Sequence, residues 1–145
     1  MNIKLSTKVK GHYLAVMHQF DRKLFEALTP KFPPVEIKAF TGSQKGDQVH
    51  IRFKVPPYFD WISDIVEHGS NEKEAWFIDE GNTLPFPLKY WRHRHIVQKI
   101  DENYSLIIDD ITFKTSNALL DRMIHPAMLM AFKPRKKIYR DYFGI

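Results

Sequence analysis

Residues 117–143, NALLDRMIHPAMLMAFKPRKKIYRDYF, decide the fold. Asn117 is a good N-cap, because its side-chain oxygen can accept from the free amides that open a helix. After it, Leu120, Ile124, Ala127, Ala131, Ile138 and Tyr142 recur at steps of three, four or seven and so share one helical face. The spacing predicts a long C-terminal helix that packs by this stripe. Pro126 and Pro134 stand within it, and each removes a backbone donor and crowds the preceding turn, so the helix is expected to be curved or divided. Small Ala127 and Ala131 alternate with flexible Met123, Met128 and Met130. Methionine adapts to irregular partners, which suits the roof of a cavity as well as it suits a packed core.

Upstream, from Val35 to about Thr115, the chain reads as a run of antiparallel strands. Val35, Ile37 and Ala39 alternate with Glu36 and Lys38. Val49, Ile51, Phe53 and Val55 alternate with His50, Arg52 and Lys54, the clearest pattern of a strand with one buried face. Trp61, Ser63 and Ile65 oppose Ile62, Asp64 and Val66, with both faces partly apolar. Glu74 to Glu80, Lys89 to Ile100 and Ser105 to Lys114 complete the series, separated by turn-forming stretches short enough to imply a meander. Before all of these, Ile3, Leu5, Thr7 and Val9 alternate with polar residues as a first strand. Leu14, Met17, Leu24, Phe25 and Leu28 then fall at helical spacings, with Asp21 as N-cap of the second of two short helices. Pro30, Pro33 and Pro34 end helical structure.

The expected fold class is therefore α+β: a curved antiparallel sheet of about seven strands wrapped around a long C-terminal helix, with two short helices after the first strand. A strongly twisted sheet cannot fill its own concave side, and one amphipathic helix leaves a space there to be packed or occupied. A small cupin-like barrel is the alternative, and it lacks the terminal helix. At 145 residues, one domain covering 1–145 is expected, with enough buried surface to stand without staples.

The chain has no cysteine, which excludes disulfides, thiolate nucleophiles and cysteine-based zinc sites. Its start alternates apolar and polar residues instead of forming the apolar run of a signal peptide, and no stretch approaches a membrane span, so a cytoplasmic protein without integral membrane association is expected. Of the net charge of +5, the main cluster is Lys133, Arg135, Lys136, Lys137 and Arg140, which reads as a solvated basic helix end complementing the helix dipole. No nucleic-acid-binding motif accompanies it, and no nucleic-acid partner is expected.

On a strand, residues two apart share a face, so Trp91, His93, His95 and Val97 point one way, inward by their apolar members. By the same rule Asp109 enters the interior with Ile111 and Phe113. Two histidines and a carboxylate then share one apolar enclosure. Three readings are open: a self-satisfied polar network, recognition of the polar end of an apolar ligand, or a general base or metal ligand set. A lone His-x-His is common by chance, and no cofactor and no metal are assigned.

The segment Trp91-Arg-His93-Arg-His95, followed by Asp109-Asp-Ile111-Thr-Phe113 and by Pro126, Phe132 and Arg135, resembles the START-like (SRPBCC, helix-grip) superfamily, in particular its ligand-binding, polyketide-cyclase-like group. Phe77-Ile-Asp79 and the Pro-Phe-Pro turn before Trp91 are similar too, and the order of elements agrees from Ile3 to Phe143. Asp101-Glu-Asn-Tyr104 departs from the glycine often found in that turn. The resemblance implies a helix-grip fold and binding or carriage of a hydrophobic, lipid- or polyketide-like small molecule in an internal cavity. The residues expected to line it are Trp61, Phe77, Trp91, His93, His95, Asp109, Met123, Ala127 and Ala131. Arg135 matches an arginine of that group, in position for a structural salt bridge or for an anion at the cavity mouth. The alternatives are an enzyme of cyclase, dehydratase or hydrolase type using His93, His95 and Asp109, and an interaction module using the basic helix end. Nothing in the pattern fixes an oligomeric state.

Overall fold

The computed structural model describes residues 1–30 and 33–145. Its elements run β1 (Asn2–Lys10), α1 (Tyr13–His18), α2 (Arg22–Leu28), β2 (Val35–Phe40), β3 (Gln48–Phe53), β4 (Asp60–Ser70), β5 (Glu74–Thr83), β6 (Tyr90–Lys99), β7 (Tyr104–Lys114), α3 (Ala118–Phe132) and α4 (Arg135–Phe143). The strands form one antiparallel sheet in the order β1-β7-β6-β5-β4-β3-β2. It is a meander from β2 to β7, with β1 brought beside β7 by the excursion through α1 and α2. This is the helix-grip α+β arrangement that the sequence pattern implies.

Local chemistry sets the boundaries. The side chain of Asp21 accepts from Leu24 N at 3.1 Å and that of Asn117 from Leu120 N at 2.8 Å, each satisfying an amide left free at a helix start. Of the two prolines, Pro134 is where the terminal helix divides, at the first turn of α4, a place where a missing donor costs nothing. Pro126 sits inside α3 without ending it. Gly144 closes α4 at φ 87°, a left-handed conformation that glycine adopts without strain.

The two halves of the terminal helix pack differently. Tyr139 of α4 is fully buried among Val9, Val16, Leu24, Phe77, Val97 and Ile107. No residue of α3 is fully buried; Ile124, Met128, Leu129 and Phe132 rest against a second cluster of Ile3, Leu88, Trp91, Ile111 and Phe113. The consequence reaches β3, whose expected one-sided burial is not realised: all six residues are only half-buried, because this end of the sheet lies where the helix does not close. On β4, Ser63 and Ile65 face inward, which settles the orientation that the sequence left open. Among the described residues, no helix is long and apolar enough to cross a membrane.

Candidate functional site

Two neighbouring features carry chemistry: a buried polar cluster on β5, β6 and β7, and an open apolar cleft beside α3.

The cluster follows from strand register. Across β5 and β6 Asp79 stands opposite His93, and across β6 and β7 Asp109 stands opposite His95. The hydrogen bonds run diagonally instead: His93 Nε2 to Asp109 Oδ1 at 2.8 Å and His95 Nε2 to Asp79 Oδ2 at 2.6 Å. The crossing lays one imidazole on the other, with ring centroids 3.6 Å apart and planes 25° from parallel. Each ring thus spans two carboxylates, with longer approaches of 3.9 Å from His93 Nδ1 to Asp79 Oδ2 and 4.0 Å from His95 Nδ1 to Asp109 Oδ1. Because an ionised carboxylate only accepts, the nitrogens at 2.6 and 2.8 Å are the ones that carry protons.

An outer ring holds the carboxylates. Trp91 Nε1 donates to Asp79 Oδ1 at 3.1 Å, and Asp109 Oδ1 also receives Arg135 Nη1 at 3.3 Å and Tyr139 OH at 3.4 Å. Phe77 stacks on His95 at 4.1 Å, and Phe20 and Phe132 stand edge-on to His95 and His93. Burial pushes His95 down to about 4, with His93 adding to the effect and the bond to Asp79 opposing it. Burial is the largest influence on Asp109 and Asp79 and works against their ionisation. It is outweighed at Asp109 by the hydrogen bond from His93 together with the electrostatic pull of Arg135 and the two histidines, and at Asp79 by the bond from His95 together with the pull of both histidines and the bond from Trp91. Both carboxylates sit below their usual range. The Tyr139 hydroxyl is pushed upward by burial and by Asp109 and stays neutral. Among the described residues, His95 Nδ1 is the one buried side-chain polar atom without a hydrogen-bond partner.

The cleft has a volume of about 380 Å³ and is lined almost entirely by apolar groups. Phe53, Phe59 and Trp61 form its floor, Pro56-Pro57 and Pro85-Phe86-Pro87 its two loop walls, and Ile124, Ala127, Met128 and Ala131 its α3 side. Trp61 meets Trp91 edge-on at 4.7 Å, so the indole of Trp91 separates the cleft from the histidines.

The residues expected at one site therefore divide into three groups. Trp61, Ala127 and Ala131 line the cleft. Trp91, His93, His95 and Asp109 are brought together, with Phe77 stacked on them, in a layer beneath it. Met123, expected in the roof, is 67% exposed and does not line the cleft; it lies three residues from Pro126 on a flank that the sheet does not reach. Arg135, counted in the basic cluster and also read as a structural salt bridge or an anion contact, turns inward and pairs with Asp109. Lys137 stays outside, paired with Asp141 at 2.6 Å. Sequence reasoning did not place Asp79, Tyr139 or Phe20 at the site. Asp79 was readable from its alternation with Ala75 and Phe77 on the inward face, and Tyr139 from its position four residues beyond Arg135; Phe20 lies between helices and gave no periodic signal.

No protein-family model and no curated protein matches the sequence. Solved structures do match in shape. A truncated norcoclaurine synthase from Thalictrum flavum superposes with a TM-score of 0.66 at 12% identity, covering 100% of this chain and 94% of that one. The same plant enzyme in complex with dopamine and hydroxybenzaldehyde gives 0.62 at 15% identity over 92% of this chain and 82% of its own. A solution structure from Thermobifida fusca gives 0.68 at 13% identity over 99% and 93%. The chain thus has the helix-grip fold of START-like (SRPBCC) proteins. At these identities the likeness extends to the fold and not to the activity.

Proposed function

We propose that the protein binds or carries a hydrophobic small molecule in the cleft between α3 and the β3–β4 and β5–β6 loops. The observation that carries this reading is the cleft itself: an apolar concavity of about 380 Å³, within the range of roughly 300–1,000 Å³ typical of small-molecule sites. A lipid- or polyketide-like ligand fits its lining. The occupation of a norcoclaurine synthase by dopamine and hydroxybenzaldehyde supports an aromatic small molecule as one class to test. Trp61, Ala127 and Ala131 make the direct contacts in this proposal. His93, His95 and Asp109 act from behind Trp91, fixing the wall and not touching the ligand. Native mass spectrometry of freshly purified protein, with thermal shift against fatty acids and aromatic polyketides, tests it. Retention of a small molecule or a saturable rise in melting temperature is expected; uniform failure across the panel contradicts it.

A second reading is an enzyme of cyclase, dehydratase or hydrolase type, and one observation favours it: Asp79 orients His95 while the other ring nitrogen has no partner. The burial of that nitrogen, on a ring covered by Phe77 stacked at 4.1 Å, weighs against it. If it holds, His95→Ala abolishes turnover of any substrate found while leaving its affinity intact, whereas equal loss of both assigns His95 to the wall.

A further inference from the structure

We propose that Asp79, His93 and His95 form a binding site for a divalent transition-metal ion, of the class that takes two imidazoles and one carboxylate, with zinc as its simplest member.

One ligand atom from each of the three residues lies within 4.8 Å of the other two, and all three side chains are buried. Asp79 Oδ2 stands 2.6 Å from His95 Nε2 and 3.9 Å from His93 Nδ1. Two atoms bound to one zinc ion stand about 3–3.5 Å apart, since bonds of about 2.1 Å meet near the tetrahedral angle. The two observed separations straddle that value. Accommodating an ion requires His95 to draw back from Asp79 and His93 to close on it, each by roughly half an ångström, and the two rings, stacked 25° from parallel, to splay so that their lone pairs converge.

The retreat of His95 answers a second, independent observation. His95 Nδ1 is the unpartnered buried nitrogen, and its nearest carboxylate oxygen is Asp109 Oδ1 at 4.0 Å, on the far side of the ring from Asp79. A ring that moves away from Asp79 moves towards Asp109. An ion on His95 Nε2 displaces the proton held there and selects the Nδ1–H tautomer, so the displacement that makes room for the metal also brings that N–H towards Asp109 as its acceptor. Asp109 already takes His93 Nε2, so it becomes the carboxylate behind both ligating imidazoles, the arrangement that sets tautomer and ring orientation at metal sites. Trp91 occupies Asp79 Oδ1 and leaves Oδ2 as the ligating oxygen.

Charge is consistent with this assignment. Asp79 and Asp109 bring two negative charges and Arg135 one positive, leaving one negative charge in the interior. A divalent ion cancels it together with one anionic fourth ligand, a hydroxide or a carboxylate, at the position three protein ligands leave open.

Isothermal titration of chelator-treated, tag-free protein with Zn²⁺, and visible absorption with Co²⁺, decide the matter. One ion per chain is expected, with the d–d bands of a site of low coordination number. Asp109→Asn weakens Zn²⁺ about 10–100-fold, and Asp79→Asn and His95→Gln weaken it further while keeping the wild-type circular dichroism. Absence of stoichiometric uptake by the wild type overturns the proposal, as does unchanged affinity in Asp79→Asn, since the ion then sits elsewhere. Because the readout is the metal, failure here is separate from failure of the apolar-ligand reading, on which this inference does not depend.

Discussion

The two halves of the terminal helix, α4 and α3, belong to one amphipathic sequence and reach opposite ends. Tyr139 of α4 has no exposed surface and joins the core to the polar cluster; α3 buries no residue fully and leaves a cleft. The difference lies in what each half faces. α4 meets β1 and α2, while α1 packs on β5, β6 and β7, so elements that arrive early in the chain cap that end of the sheet. α3 meets two proline-rich loops that stand off from it. At that open end Phe86, in the β5–β6 loop, is 74% exposed.

The contrast breaks most visibly through stability. Asp109→Ala leaves Arg135 buried without its carboxylate and is expected to cost about 3–5 kcal/mol. Tyr139→Ala is expected to cost a similar amount, about 3–5 kcal/mol, by opening a cavity. At the cleft end, Met128→Ala, which removes a half-buried side chain, is expected to cost about 1 kcal/mol. Urea unfolding measures all three, and equal losses at both ends erase the distinction.

Acid sharpens the same comparison in metal-free protein. His95, at about 4 in the folded chain against about 6.5 when unfolded, makes the unfolded state the better proton acceptor between those values. Stability is therefore full above about pH 7 and falls as the pH drops from 6.5 towards 4, at no more than about 1.4 kcal/mol per pH unit. Below that, the carboxylates held under their usual range, Asp79 and Asp109, extend the loss. His95→Gln removes the upper window and leaves the lower. A wild-type stability that is flat from pH 7 to 4.5 contradicts the buried, neutral state of His95.

Smaller stability effects are expected at the cleft, where the proposed ligand binding is the sensitive readout. Ala131→Trp fills the space between α3 and Trp61 and should weaken any bound apolar ligand at least tenfold, an effect of about 1.4 kcal/mol, while changing stability by under about 1 kcal/mol. Met123→Ser, on the exposed flank, changes stability by about 0.5 kcal/mol or less and binding not at all. Thermal unfolding with and without ligand reads both.

The fold was legible in the sequence because its signals are local: period-two alternation from Ile3 to Val9 and in β6 and β7, and the steps from Leu120 to Tyr142. The inward turn of His93, His95 and Asp109 followed from parity along their strands. What stayed hidden is three-dimensional. Which carboxylate meets which imidazole depends on a diagonal crossing between β5, β6 and β7, and no single strand encodes it. The sequence treated Met123 as roof and left Arg135 between the basic helix end and a structural salt bridge, because a helical period gives a face but not the side on which the sheet lies. Pro126 and Pro134 carry the same backbone penalty, and only the loops and strands beneath them determine which one divides the helix.

The most direct test of a closed end and a proposed binding end is methyl and indole NMR of the wild-type protein titrated with the apolar probe 1-anilinonaphthalene-8-sulfonate. The account predicts saturable shifts at Trp61, Ile124, Met128 and Ala131, with Val9, Val97 and Ile107 around Tyr139 unmoved. Shifts centred on the Tyr139 core, or none at the cleft, contradict it.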